Sequence, residues 1–246
     1  TPQSTVLFGH VGIPREDPDF FAAFILNEAL GGGRFTARLM SEVREKRGLT
    51  YGIGSYLVGL DQAEMYLGQF SASNDKVAEA IQVLRAEWAK IAAEGLTEEE
   101  LATTRTYLTG SYPLRFDSNA NIASILVGMQ MDDLPIDYPV TRNARIEAVT
   151  MDDIRRVATR LYLPDALHFV VVGQPTGIVP SDPRQLRLGR KLARQEASHR
   201  QRADDCVHHR HRHMPDWHLP PQKPLQHRCL IQVGDRRPRT ADGQYT

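Results

Sequence analysis

Apolar and polar positions follow clear periods from Ser4 to about Gly173, and the pattern is lost after about Pro180. Ser4–Gly12 reads as a strand. Asp17-Pro18 predicts a helix start, with Asp17 as N-cap and Pro18 at the first helical position. Phe21, Phe24, Ile25 and Ala29 recur at helical spacing, and Gly31-Gly32-Gly33 ends that helix. A second helix is predicted from Phe35 to Lys46 on the stripe Leu39, Met40 and Val43, with Gly48 as its stop. Tyr51–Val58 and Ala63–Ala72 then read as two strands, joined by a loop over Gly59-Leu60-Asp61-Gln62. Asp75–Glu94 is helical by the spacing of Val77, Ile81, Leu84, Trp88 and Ile91. Thr97 with Glu100 forms a capping-box signature that opens Glu98–Tyr112, and Pro113 disturbs the run near its end. Ser118–Met131 is an apolar-rich helix, Thr150 caps Met151–Leu161, and Leu167–Val172 closes the pattern as a strand.

Short loops between neighbouring strands favour antiparallel pairing, and the clustered helices favour a layer on one face of the sheet. The expected class is α+β, an antiparallel sheet with helices packed on one face, over residues 1–180. Residues 181–246 change character. They are rich in Arg, His, Gln and Pro, and their few large apolar residues have no period. Burial in such a segment does not offset the entropy of ordering it, so a disordered tail is expected. A frame-shifted or otherwise non-native extension fits the same change. Charge marks the same boundary. Residues 1–180 carry 16 Lys+Arg against 23 Asp+Glu, and the remainder carry 14 against 7, so a chain of net charge zero divides into an acidic and a basic part. Both cysteines, Cys206 and Cys229, lie in the basic part and leave the redox compartment unread. No apolar run is long enough for a membrane span. The chain opens at a strand without Met, which fits a missing preceding domain.

The chemistry is defined first by what the motifs exclude. Neither His-x-x-Glu-His nor its inversion occurs, so no helical zinc pair with a general base is expected. His10 and His168, the histidines of residues 1–180, sit in separate strands and read as structural. His208, His209, His211 and His213 alternate with arginines that oppose a cation. The basic tail lacks interleaved aromatics, so nucleic acid is not an expected partner. There is no Gly-x-Ser-x-Gly elbow, and Gly31–Gly33 lacks the Lys-Ser/Thr of a phosphate loop.

The segment Asn27 to Tyr51 is the informative one. It runs through Leu-Gly-Gly-Gly, then Ala37-Arg38-Leu39, then Arg44-Glu45-Lys46-Arg47-Gly48-Leu49-Thr50-Tyr51. In that order these motifs closely resemble the C-terminal inactive domain of the M16 (pitrilysin/insulinase) zinc metallopeptidases, including bacterial two-subunit members and processing-peptidase-like subunits. Asp17-Pro18-Asp19, Gly95–Leu101 and Ser111–Asn119 also fit, and the resemblance covers about residues 3–177.

The resemblance implies an M16/LuxS-like fold and a non-catalytic, substrate-binding half of a zinc metalloendopeptidase, as a subunit or a C-terminal fragment. It implies no cofactor in this chain, with zinc in an HxxEH-bearing catalytic subunit or domain as partner and peptide as substrate. It matches the family's functional Arg and Tyr to Arg44 and Tyr51, and its substrate-contacting glycine loop to Gly31, Gly32 and Gly33. Spacing alone favours a solvated helix position near Glu42 and Glu45 for Arg44 and a half-buried strand aromatic for Tyr51, and the resemblance reverses that preference. An alternative within the same fold is a structural core or assembly subunit without a peptidase role. Bacterial periplasm and cytoplasm both fit.

Overall fold

The structure, a computed structural model, describes residues 2–60 and 63–179 and the backbone of 230–233. Two compact units are distinguished, Thr1–Ile178 and Val179–Thr246. In the first unit the elements run β1 (Gln3–Val11), α1 (Phe20–Gly31), a π-helical turn (Met40–Glu45), β2 (Ile53–Leu60), β3 (Ala63–Ser73), α2 (Val77–Glu94), α3 (Glu98–Ser111), α4 (Asn119–Met131), α5 (Tyr138–Glu147), α6 (Met151–Leu161) and β4 (His168–Val172). The strands lie in the order β2-β3-β1-β4 and every pairing is antiparallel. The α+β architecture expected from the sequence is the one observed. In the second unit Leu230–Val233 forms a strand, β5, where no element was expected. The rest of the expectation of disorder over 181–246 lies outside the described residues.

Alternation in the strands sets the core. Val6 and Phe8 of β1, Ile53 of β2, Tyr66 and Phe70 of β3, and Phe169 and Val171 of β4 are all buried, because residues two apart share one face of a sheet. Leu7 and Tyr56, of opposite parity, are exposed. The buried face is covered by α1 against β2 and α2 against β3, with α6 packed on both helices. Trp88 of α2, fully buried, centres the layer, with its ring 6.0 Å from Phe8, 4.9 Å from Tyr66 and 5.1 Å from Tyr162. The hydroxyls of Tyr66 and Tyr162 lie 2.8 Å apart, so each phenol inside this apolar packing has a polar partner. Burial pushes both phenol pKa values far upward.

Several elements depart from the sequence reading for local reasons. α1 begins at Phe20, because Asp17 does not cap it: Asp17 Oδ1 accepts from the Asp19 N–H at 2.8 Å, closing a turn before the helix. The two carboxylates face α6 instead. Arg160 donates to Asp17 Oδ2 and Asp19 Oδ2 at 2.6 Å each, and Arg156 donates to Asp19 Oδ1 at 2.5 Å. The helix α5 was not expected at all. Its inward positions are Tyr138, Arg142 and Ile146, and the arginine breaks the apolar stripe that would have announced it. The capping boxes of Thr97 with Glu100 and Thr150 with Asp153 form as the sequence indicated.

The arginines of α6 hold Asp17 and Asp19 below the usual carboxylate range. Asp153 is lowered to about 2, first through the Thr150 hydroxyl, then the Thr150 N–H, then Arg156. A carboxyl whose folded pKa is depressed stabilises the fold above its unfolded value and loses that contribution as pH falls toward the folded value. The contribution of these carboxylates to the urea midpoint is therefore expected to be constant above about pH 5 and to decline from about pH 4 toward pH 2. In Asp153→Asn the decline should be shallower. Parallel profiles for wild type and variant would remove Asp153 from the account.

Candidate functional site

The last turn of α1 is built for close approach. A Cβ at Gly31 would fall on Ser55 Oγ and lie 2.9 Å from Ser55 N, so only glycine fits there. Beside it the Ser55 hydroxyl donates to Asn27 Oδ1 at 2.9 Å, a buried pair that ties α1 to β2. Gly33 then adopts φ +82° and turns the chain away. Arg34 closes this turn by donating to Glu28 Oε1 at 3.1 Å and to Thr104 Oγ1 at 3.2 Å, with its guanidinium 4.4 Å from the Tyr107 ring. Burial pushes the Glu28 carboxyl pKa up, against the opposing effect of Arg34. Between this turn, β2 and β3 lies an open groove of about 630 Å³. It is lined by Gly31, Gly32 and Gly33 of the turn, by Tyr51, Gly52 and Ser55 at and before the start of β2, and by Gln69 and Ser71 of β3.

The segment carrying Arg44 was expected to be α-helical and is a π-helical turn. Lys46 N–H donates to Ser41 O at 2.9 Å, one residue beyond α spacing. The buried residues Leu39, Met40 and Val43 span barely one turn, too short a stripe to separate the two periods in sequence. π turns of this kind are frequent at functional sites. Gly48, at φ +58°, ends the turn as expected. The Leu49 N–H donates to Val43 O at 2.9 Å and the Gly48 N–H to Arg44 O at 2.8 Å, a nested pair of bonds each one residue wider than those of a Schellman cap.

Within that turn the cations divide. Lys46 and Arg47 are both bound to Glu42, at 2.5 and 2.7 Å. Arg44 instead lies with its guanidinium 4.7 Å from the centre of the Phe35 ring. Its nearby carboxylate, Glu45, is at 3.6 Å, beyond hydrogen-bond reach. The Arg44 side chain is 31% exposed and Phe35 is 63% exposed. Phe35 was missed in sequence, where it reads only as the start of a helix.

Tyr51 stands outside the strand expected to contain it, since β2 begins at Ile53. The cause is Thr50. Its buried hydroxyl donates to Ser71 O at 2.7 Å and accepts from the Gly52 N–H at 3.2 Å. This local turn replaces strand pairing and leaves the Tyr51 side chain in solvent, 89% exposed. Gly31, Gly32, Gly33 and Tyr51 therefore share one groove, whereas Arg44 is not among its lining residues; it sits four residues beyond Met40, which is.

Among the described residues no three His, Cys, Asp or Glu side chains are grouped to hold a metal. His10 Nδ1 is 2.6 Å from Val11 O, its ring is enclosed by Tyr66 and Trp88, and burial lowers its pKa.

Thr50→Val should cost about 0.5–1.5 kcal/mol of unfolding free energy, the scale of one net intramolecular hydrogen bond. It should also speed hydrogen exchange at the Gly52 amide, while Thr50→Ser keeps both properties. Unchanged exchange at Gly52 in the valine variant would contradict the role given to the hydroxyl.

Comparison with known proteins assigns this architecture. Residues 1–108 match the family model of the peptidase M16 inactive domain. An uncharacterized zinc protease of Streptomyces coelicolor is 32% identical over 161 residues, covering 64% of this chain and 34% of that protein. An uncharacterized zinc protease of Mycobacterium tuberculosis is 29% identical over 170 residues, covering 68% of this chain and 37% of its own length. The crystal structure of a peptidase M16 inactive domain from Pseudomonas fluorescens aligns with a TM-score of 0.64 at 30% identity, covering 74% of this chain and 43% of that one. The chain spans less than half the length of these relatives. Residues 1–108, which include the glycine turn, the π turn and strands β1–β3, match the inactive domain of the M16 peptidases, and the fold is that of the solved inactive domain.

Proposed function

We propose that this chain is the non-catalytic, substrate-holding half of a zinc metalloendopeptidase, working with an HxxEH-bearing catalytic subunit or domain that holds the zinc. The observation that carries the reading is Tyr51: a phenol 89% exposed, outside its strand beside a buried threonine, lining the same groove as Gly31–Gly33. An exposed aromatic next to a hydrogen-bonded, buried threonine is available to a partner or ligand rather than to the core.

In this reading the groove receives an extended stretch of peptide, and the absence of side chains at Gly31–Gly33 allows the substrate backbone to come close. Arg44 and Tyr51 reach the partner's cleavage centre. Peptide hydrolysis places negative charge on the scissile carbonyl oxygen, and a guanidinium and a phenol both donate to such an oxygen. The Phe35 ring limits the directions open to the Arg44 side chain. Donors fixed before the reaction need no reorganisation during it. The names of the relatives, zinc proteases of Streptomyces coelicolor and Mycobacterium tuberculosis, support the chemistry.

The test is reconstitution with an HxxEH-bearing partner and a quenched fluorescent peptide. Tyr51→Phe and Arg44→Ala are each expected to lower kcat by about 2–4 kcal/mol of transition-state stabilisation, with both proteins folded and assembled. Wild-type turnover in both variants would end the proposal. The chain alone is expected to cleave no peptide.

A further inference from the structure

A second cavity, of about 350 Å³, opens among α1, α4, α5 and the turn that follows α3, and it shares no lining residue with the groove. Its walls are aromatic and aliphatic, including Phe20, Phe24, Ile125 and Met129, yet three arginines converge on it: Arg15, Arg115 and Arg142. Arg142 is the unusual member. It is 6% exposed, and its guanidinium lies 4.2 Å from the centre of the Tyr112 ring. Its Nη1 donates to Leu108 O at 3.1 Å and to Asn143 Oδ1 at 3.0 Å, both neutral acceptors.

Among the described residues none of the three arginines is ion-paired. Arg15 stacks on Phe20 at 4.2 Å and donates to the Tyr138 hydroxyl at 2.5 Å. Glu28, whose titration senses Arg142, is taken up by Arg34. One exposed carboxylate, Asp132, stands in the lining against three arginines. Burial lowers the Arg142 pKa, the mark of a cation short of compensating charge. A buried charge paired only with neutral acceptors is costly, and here that charge lines a largely apolar cavity large enough for a small molecule.

We infer that this cavity binds an organic monocarboxylate with an apolar body, the carboxylate held by Arg142 and Arg115 and the body packed against Phe24, Ile125 and Met129. The planar guanidinium suits a carboxylate through paired N–H donors. The carboxylate at Asp132 and the apolar remainder of the wall disfavour a multiply charged phosphate. This site stands apart from the peptide groove and does not depend on the function proposed for it.

Calorimetric titration of the full chain with octanoate and with its neutral isostere octanamide tests the inference. Octanoate should bind at one site per chain, about tenfold or more tighter than octanamide, the scale of one charge-assisted hydrogen bond. Arg115→Gln, at an exposed position, should weaken octanoate several-fold and leave octanamide unchanged. Ile125→Trp should fill the cavity and abolish binding of both. Arg142→Met, if its circular dichroism matches wild type, should bring octanoate to the level of octanamide; the other two variants decide the matter if it does not fold. Equal affinity for the two ligands, or octanoate binding untouched by both Arg115→Gln and Ile125→Trp, overturns the assignment.

Discussion

The end of α1 rests against β2 with no room for a side chain at Gly31, and much of the site geometry depends on that contact. One residue type permits it, and the buried Asn27–Ser55 hydrogen bond holds it. Because the helix is pinned there, the reversal at Gly33 comes at the rim of the sheet and opens the groove beside β2 and β3. A methyl group at Gly31 would push α1 away from Ser55 or force the serine to move, and overpacking of this kind commonly costs about 1–3 kcal/mol. The groove is thus a by-product of backbone approach, and its shape is fixed by the packing that fixes the fold.

The fold was legible wherever a period or a cap had one interpretation. Val77, Ile81, Leu84, Trp88 and Ile91 all point inward from α2, as their spacing requires. The two threonine capping boxes set the starts of α3 and α6. Reading failed where a tertiary partner outbid a local one. Asp17 has the chemistry of an N-cap, but Arg160 lies within hydrogen-bond distance, and the sequence does not say that residues 143 positions apart will meet. α5 was hidden because its inward positions include Arg142, a charge that ordinarily marks a solvated face. The shorter β2–β3 connection, with Leu60 paired to Ala63, reflects a hairpin extended through residues whose polarity suggested a loop.

The candidate site was legible as a set of motifs but not as a geometry. Gly31–Gly33, Arg44 and Tyr51 were picked out in sequence by family resemblance, and the structure puts the glycines and Tyr51 on one groove. Spacing alone placed Tyr51 in a strand, half buried. The side chain that reverses this, Thr50, is an ordinary strand former, and its hydroxyl acts against strand pairing only because Ser71 O lies within reach. Phe35 gave no signal either. An aromatic at the start of a predicted helix implies a core contact, and its position beneath Arg44 depends on a widened turn that period analysis does not resolve.

The arginines of this unit separate by what holds them, and the separation has functional meaning. Arg38 is bound by both oxygens of Glu100, and Arg156 and Arg160 by Asp17, Asp19 and Asp153. In each case the charge is answered within the fold, and the pair serves to join helices. Arg44 and Arg142 are steadied mainly by aromatic rings and neutral acceptors. A ring face orients a guanidinium while leaving its charge and its edge donors available. A carboxylate would orient it equally well and cancel what it could offer a ligand. Arg44, with the Glu45 carboxylate 3.6 Å away, and Arg142 are ordered more by ring faces than by carboxylates, and this is the physical difference between them and the arginines that join elements of the fold.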